Sequence, residues 1–214
     1  FNFNSAKSHE KFQNGQIWSF YSDEDGLPKY YGQIKNIESG PDFKLHVRSL
    51  SACPQKNSMI RWRDKNMPIC CGRFKVKKGE LEAYTSTTSF SHLLRVEPAD
   101  KNDVYVILPR KGEVWALYRN WSAETKLSDL EYCKYDIVEV LEDTDMGRKV
   151  KVLERVDGFN SVFKTRLKDG VADTMEIPQL ELLRFSHQIP AFQLTEETGG
   201  SLRGCLELDP SAVP

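Results

Sequence analysis

Eight aromatic side chains fall at comparable places in the two halves of the 214-residue sequence, and together they could bind a cation. Each half has a Trp and a Tyr three residues apart, followed by further aromatic residues beyond a polar segment. The eight are Trp18, Tyr21, Tyr30 and Tyr31, and then Trp115, Tyr118, Trp121 and Tyr135. A cation over an aromatic ring gains about 0.5 to 2 kcal/mol. We therefore predict these residues as ligand-binding residues that form an aromatic cage for a methylated ammonium group.

Carboxylates near the rings would add selectivity for a positively charged ligand. Asp23, Asp25 and Asp136 are the candidates. The alternative is that the rings form the hydrophobic cores of their own domains, which applies first to Trp18 and Trp115. The sequence leaves open which alternative holds and which half carries the site.

The sequence lacks the common signatures of catalytic and cofactor sites. It contains no Gly-x-Gly-x-x-Gly, phosphate loop, His-Glu-x-x-His or Gly-x-Ser-x-Gly motif. Its five cysteines have no zinc-site spacing, and their odd number fits a reducing compartment. The pair Cys70-Cys71 is predicted to be a buried structural feature. We therefore predict a protein without enzymatic activity, metal or cofactor.

The triplet Phe-Ser-His occurs twice, at residues 90–92 and 185–187. A serine beside a histidine suggests a nucleophile and its base. Adjacent residues of a strand point to opposite faces, however, so the two side chains are expected to be poorly placed for each other. We predict a structural role instead, in which a hydrogen-bonded histidine closes each domain.

These motifs repeat with nearly constant spacing. Trp115 lies 97 residues after Trp18, and His187 lies 95 residues after His92. A period of this length suits a small domain rather than a solenoid unit. We therefore predict two copies of one domain, with an N-terminal arm and the first copy in residues 1–104, and the second copy with a C-terminal tail in residues 105–214.

Short runs of β-branched and aromatic residues, separated by turn residues, predict antiparallel strands in both halves. The predicted strands are 16–21, 30–37, 43–50 and 72–76 in the first half, and 113–118, 135–141, 149–155 and 161–167 in the second. A Gly-x-x-Trp strand followed by a polar loop and two aromatic residues resembles the first hairpin of Tudor and PWWP domains. The predicted fold is mainly β, with two tandem SH3-like (Tudor/PWWP-like) small β-barrels and short helices.

Charge and hydropathy argue against nucleic acid as the main ligand and against a membrane role. The net charge is −1, although residues 1–104 carry 16 Lys and Arg against 12 Asp and Glu, and residues 105–214 carry 14 against 19. This near-neutral total argues against nucleic acid as the main ligand, while the basic segments 61–63 and 73–78 keep it open as a secondary one. No apolar run has the roughly 18 to 20 residues that span a bilayer, so no membrane role is predicted.

Several motifs together resemble a known family across essentially the whole chain. They are residues 15–18, 30–31, 112–118, 135–141, 184–191 and 208–210. They look like the plant domain of unknown function 3444, which is commonly the C-terminal domain of plant DnaJ-like proteins with an N-terminal J-domain. The resemblance implies a fragment of a nuclear J-domain protein, with a cytoplasmic location as the alternative. The J-domain signature His-Pro-Asp is absent, so contact with Hsp70 is expected only through a J-domain outside this fragment.

The function expected from these features is that of a binding module. We predict that it recognises a protein segment, namely a histone tail with or without methylated lysine, or another chromatin or transcription partner. The alternative is a co-chaperone domain that binds clients, or a scaffold, capturing extended peptides by strand addition. A chromatin reader should prefer one sequence and one modification state, whereas a client-binding domain should accept many unfolded apolar peptides.

Overall fold

The computed structural model describes residues 1–40, 42–53, 57–100, 103–122 and 124–214. The chain divides into two compact units. One unit contains residues 2–63 and 68–108, and the other contains residues 109–214 together with residues 1 and 64–67. We call them the first barrel and the second barrel. Because the division follows the strand Val104–Ile107, the predicted boundary between residues 104 and 105 lies inside a strand.

The first barrel has one antiparallel sheet, with eight strands among its described residues. They are β1 (Ile17–Phe20), β2 (Tyr30–Glu38), β3 (Lys44–Ala52), β4 (Gly72–Val76), β5 (Glu82–Tyr84), β6 (Phe90–Leu93), β7 (Glu97–Asp100) and β8 (Val104–Ile107). The order across the sheet is β6-β1-β2-β3-β4-β8-β7, and β5 pairs with β3. The connection from β3 to β4 contains the helix α1 (Asn57–Asp64), and 3-10 helices span Phe3–Lys7 and His9–Lys11.

The second barrel repeats this topology. Its strands are β9 (Val114–Tyr118), β10 (Tyr135–Thr144), β11 (Gly147–Arg155), β12 (Val162–Thr165), β13 (Leu167–Lys168), β14 (Val171–Ala172), β15 (Thr174–Pro178), β16 (Phe185–Ile189), β17 (Ala191–Gln193) and β18 (Leu206–Leu208). The order is β16-β9-β10-β11-β12-β18-β17, with β15 on β11, while β13 and β14 form a separate hairpin. The helical segments are Leu127–Tyr132, Gln179–Arg184, α2 (Glu196–Gly199) and Gly200–Leu202.

The two sheets match strand for strand, which confirms the predicted tandem of small β-barrels. Each copy extends beyond its Phe-Ser-His triplet by one more hairpin, β7–β8 in the first barrel and β17–β18 in the second. The end of the chain, which the sequence indicated as a tail, therefore includes a sheet strand. Residues 206–208 pair with β12 and with β17.

The Gly-x-x-Trp motif organises the entry into the first barrel. Gly15 has φ +88°, a backbone conformation that glycine adopts without steric cost. The side-chain oxygen of Gln16 accepts hydrogen bonds from Trp18 Nε1 at 2.8 Å and from the backbone N–H of Gln13 at 2.9 Å. The indole can therefore be buried with its donor satisfied.

In the second barrel, a glutamate accepts the hydrogen bonds that Gln16 accepts in the first. Gly112 has φ +84°, and Glu113 Oε2 accepts hydrogen bonds from Trp115 Nε1 and from the backbone N–H of Arg110, both at 3.0 Å. The second motif position thus holds the turn and the indole together. This explains why the two copies have Gln or Glu at that place.

The two tryptophans lie in the barrel interiors. Trp18 stacks on Phe12 with ring centroids 4.1 Å apart and meets the edge of Phe90 at 6.3 Å. Trp115 meets the edge of Phe185 at 5.8 Å. Both indoles are almost completely buried. This burial favours the alternative that Trp18 and Trp115 are core residues over their predicted role in ligand binding.

In the Phe-Ser-His triplets, the Ser and His side chains lie close together, contrary to the expectation from strand alternation. Ser91 Oγ lies 2.9 Å from His92 Nδ1, and Ser186 Oγ lies 3.0 Å from His187 Nδ1. The adjacent side chains meet because the pairing register shifts at the serine in both copies, as in a β-bulge. His187 Nε2 also lies 2.9 Å from the carbonyl oxygen of Ala212. Ser186 and His187 are fully buried, which supports the structural role rather than a nucleophile open to substrate.

Candidate functional site

The predicted tyrosines of the first barrel do not share one surface. Tyr30 and Tyr31 are adjacent on β2, so their side chains point to opposite faces of the sheet. Tyr31 is buried, and its hydroxyl donates a hydrogen bond to the Cys70 carbonyl at 2.8 Å. Tyr30 remains 44% exposed. The burial of Tyr31 therefore favours a core residue over a member of the predicted cage of Tyr21, Tyr30 and Tyr31.

The ring of Tyr21 already has a cation of the protein itself beside it. Lys7 Nζ lies 5.4 Å from the centroid of the Tyr21 ring, within the distance of a cation–π interaction. Lys7 belongs to the first 3-10 helix and is buried. This contact joins the N-terminal arm to the barrel, and it is distinct from the ligand contact predicted for Tyr21.

Two rings that the sequence prediction missed accompany Tyr30. Phe20 pairs across the strands with Tyr30, and the ring centroids are 6.2 Å apart with an interplanar angle of 28°. Tyr84 on β5 lies 6.4 Å from Phe20. Phe20 and Tyr84 are half-buried. We call Phe20, Tyr30 and Tyr84 the aromatic surface. Phe20 could have been found from strand alternation, whereas Tyr84 reaches the surface only through the pairing of β5 with β3.

A glycine allows Phe20 to lie against the sheet. A Cβ atom added to Gly32 would come within 2.5 Å of Val47 Cγ1 and 2.9 Å of Phe20 Cε1. These distances are shorter than van der Waals contact, so a larger residue would displace the Phe20 ring. Gly32, paired with Trp18 across the strands, thus positions one member of the aromatic surface.

Carboxylates surround the aromatic surface. Asp23, Glu24 and Asp25 lie in the β1–β2 connection, and Glu82 Oε2 accepts a hydrogen bond from the Tyr84 hydroxyl at 2.8 Å. Burial, and then the charge of Glu24, raises the pKa of Tyr30. Burial, and then the hydrogen bond to Glu82, raises the pKa of Tyr84. The phenols thus stay neutral and the local potential is negative, which favours a cationic ligand.

The carboxylates differ in their availability. Asp25 Oδ2 binds the buried ammonium group of Lys29 at 2.5 Å, so this carboxylate is engaged within the protein. Asp23 and Glu24 are exposed, and no ion pair to either is found in the part of the chain that the structure describes. Of the predicted selectivity groups in this barrel, Asp23 is therefore better placed than Asp25 for a ligand.

The pairing register shows that the tyrosines of the two copies are not equivalent. Trp18 pairs with Gly32, and Trp115 pairs with Val138. The cross-strand pair Phe20 and Tyr30 therefore corresponds to Leu117 and Asp136 in the second barrel. The aromatic surface has no counterpart there.

The predicted residues of the second barrel lie in a different environment. Tyr118 is buried, with its ring centroid 5.5 Å from that of the half-buried Tyr135. Trp121 is half-buried in the β9–β10 connection. Asp136, the third predicted carboxylate, is bound by Arg119 at 2.7 Å. The burial of Tyr118 favours a core residue over its predicted role in ligand binding.

Tyr135 lines a cleft of about 460 Å³ with Arg119, Lys134, Arg155 and Arg166. We call this the basic cleft. Four cationic side chains repel an ammonium group, so the basic cleft does not suit the ligand predicted for Tyr118, Trp121 and Tyr135.

The cysteine pair is a structural feature, as its burial shows. Cys70 and Cys71 are buried, and Cys70 Sγ donates to the carbonyl oxygen of Lys29 at 3.6 Å. Burial raises the pKa of the Cys70 thiol to about 12. In the described part of the chain, no cluster of three His, Cys, Asp or Glu side chains could hold a metal ion.

Cys70 and Cys71 are buried whereas the other three cysteines are half-buried, and alkylation should follow this difference. At pH 8, a thiol with that pKa has only about 10⁻⁴ of its population as the reactive thiolate. We expect iodoacetamide to modify the half-buried Cys53, Cys133 and Cys205 of the native protein while sparing Cys70 and Cys71. Peptide mass spectrometry with a denatured control checks this. Equal labelling of Cys70 before and after denaturation would contradict the burial.

These features define a mainly β protein of two tandem small barrels with unlike surfaces. The chain belongs to the family described as domain of unknown function (DUF3444), whose sequence profile matches residues 1–198. No curated protein and no solved structure matches the chain. Among the described residues, no helix is both long and apolar enough to cross a membrane.

Proposed function

We propose that the chain is a non-enzymatic binding module whose first barrel holds a lysine side chain of a protein segment against the aromatic surface. The observation that supports it most is the cluster of Phe20, Tyr30 and Tyr84 beside the exposed carboxylates Asp23 and Glu24. The rings supply cation–π attraction, and the carboxylates supply long-range attraction for a basic segment.

A methylated lysine suits this surface better than an unmodified one. Methyl groups lower the hydration of the ammonium group and enlarge its apolar contact with the rings, while the positive charge stays. Histone tails are basic segments whose lysines are methylated, so a histone tail in the nucleus is the proposed partner and location. The proposed setting is a plant DnaJ-like protein, in which a J-domain outside this sequence would contact Hsp70.

Substitution of Tyr30 tests the proposal. We expect Tyr30→Ala to weaken binding of a trimethyl-lysine histone-tail peptide about tenfold, which corresponds to the loss of roughly 1.4 kcal/mol. Tyr30→Phe should bind nearly as well as the wild type, because the ring remains. Because the side chain is 44% exposed, the melting temperature of Tyr30→Ala should stay close to that of the wild type. Isothermal titration of the full chain, after a screen of modified and unmodified peptides, measures both affinities.

Two control variants distinguish the loss of the Tyr30 ring from general effects of a substitution. Tyr132 is 80% exposed and lies in the second barrel, so Tyr132→Ala removes a tyrosine without touching the aromatic surface. Glu24→Gln should weaken binding mainly at low salt, because it removes attraction between charges at the surface. Equal binding by Tyr30→Ala and Tyr132→Ala would contradict the proposed site. Binding of many unrelated apolar peptides, independent of Tyr30, would favour the client-binding alternative.

A further inference from the structure

The basic cleft of the second barrel would repel a lysine ligand because it is positively charged. Its arginine and lysine side chains indicate a negatively charged ligand instead. We propose that it binds the oxyanion side chains of an acidic protein segment, namely the carboxylates of Asp and Glu or the phosphate of a phosphoserine. This inference concerns the second barrel alone and does not depend on the proposed lysine site.

The arginines of the basic cleft are held in place by the protein. Arg119 donates from Nε and Nη2 to Asp136 Oδ1 at 3.0 and 2.7 Å, and from Nη2 to the Tyr135 carbonyl at 3.2 Å. Arg166 donates from Nε and Nη2 to Asp173 Oδ2 at 2.8 and 2.6 Å. A guanidinium group has five N–H donors, so each arginine keeps donors beyond these bonds. Fixed guanidinium groups lose less conformational entropy when they bind an oxyanion.

The other two cations extend the positive surface. The Arg155 guanidinium lies 5.4 Å from the ring centroid of Phe163. Lys134 and Arg155 are exposed. Of the four cations, Arg119 and Arg166 are paired with Asp136 and Asp173. An excess of positive charge thus collects in one cleft, although residues 109–214 carry 14 Lys and Arg against 19 Asp and Glu.

The same features favour an acidic peptide over a nucleic acid. A single-stranded nucleic acid binds through a long basic groove and through rings on which its bases stack. Phe163 is buried, so its face is not offered to a base, and the half-buried Tyr135 alone does not make a row of stacking rings. The net negative charge of the barrel would repel a polyanion that extends beyond the cleft. A volume of about 460 Å³ suits a few acidic side chains of a short segment.

Titration of the full chain with four probes tests the inference. The probes are a capped hexaglutamate peptide, a capped phosphoserine peptide, a neutral peptide of the same length and a single-stranded oligonucleotide. We expect at least one of the two acidic peptides to bind at least tenfold more tightly than the neutral peptide, and more weakly as salt is added. The difference between the two acidic probes identifies carboxylate or phosphate as the preferred oxyanion.

Charge-removing variants locate the site. Arg155→Gln and Lys134→Gln should each weaken binding of the acidic peptide about fivefold to tenfold. Because Lys134 is exposed, its substitution tests the site even if Arg155→Gln disturbs the fold. The control Arg203→Gln removes the same charge from another exposed position of the second barrel and should leave affinity within twofold. Acidic peptides that bind no better than the neutral one would overturn the inference, as would equal losses in all three variants or tighter binding of the oligonucleotide.

Discussion

Replacement of Trp115 by alanine is expected to lower the free energy of unfolding of the second barrel by about 3 to 5 kcal/mol. The indole is completely buried, packs edge-on against Phe185 and donates its N–H to Glu113. Alanine leaves a cavity, and the half-buried carboxylate of Glu113 loses the hydrogen bond that the indole donates to it. Urea denaturation of the full chain, followed by circular dichroism, measures the loss. Hydrogen exchange should place the loss in residues 109–214.

Two milder variants of the same motif serve as controls. Trp115→Phe keeps an aromatic ring and should cost less than Trp115→Ala. Glu113→Gln should change the free energy of unfolding by no more than about 0.5 kcal/mol, because Gln16 makes the equivalent bonds in the first barrel. If Trp115→Ala unfolds at the same urea concentration as the wild type, the indole contributes little to the core and this interpretation of the motif fails.

Gly147→Ala is expected to destabilise the second barrel by about 2 to 3 kcal/mol or more. Gly147 has φ +155°, which side-chain-bearing residues rarely adopt. A Cβ atom there would lie 2.3 Å from the Ile177 carbonyl oxygen and 3.1 Å from the Pro178 Cα. These are backbone atoms, so the clash is relieved only if β11 and β15 separate. Thermal unfolding and amide exchange in residues 174–177 measure the effect.

A second glycine provides the matched control. Gly40 has no atom within 4 Å of an added Cβ, and its φ is not in the positive region. Gly40→Ala should therefore leave the free energy of unfolding within about 0.5 kcal/mol of the wild type. If Gly147→Ala resembles Gly40→Ala in stability and in exchange, the close pairing of β11 with β15 is not a significant source of stability.

One scaffold carries two surfaces of opposite charge. Both barrels share strand order, the Trp motif and the Ser–His hydrogen bond. They differ where Phe20 and Tyr30 correspond to Leu117 and Asp136. Duplication with divergence at the surface explains why the cores match while the proposed ligands, a lysine and an acidic segment, differ in charge.

The repeat, the strands and the mainly β fold follow from local features of the chain. Alternating apolar residues, turn glycines and the Gly-x-x-Trp motif act over a few residues, so they can be recognised without tertiary contacts. The two spacings of nearly equal length were enough to predict two copies of one domain. Trp18 and Trp115 belong to this local motif, so the sequence also predicts the alternative that they are core residues.

The candidate site depends on strand register and on contacts between distant segments. Sequence adjacency suggested that Tyr30 and Tyr31 act together, but strand alternation separates them and pairs Tyr30 with Phe20. A register shift brings Ser186 to its neighbouring histidine, although a regular strand would keep them apart. The basic cleft combines residues of β11 and of the β9–β10 connection with Arg166. Such groupings depend on which residues lie opposite each other, and spacing along the chain does not carry that information.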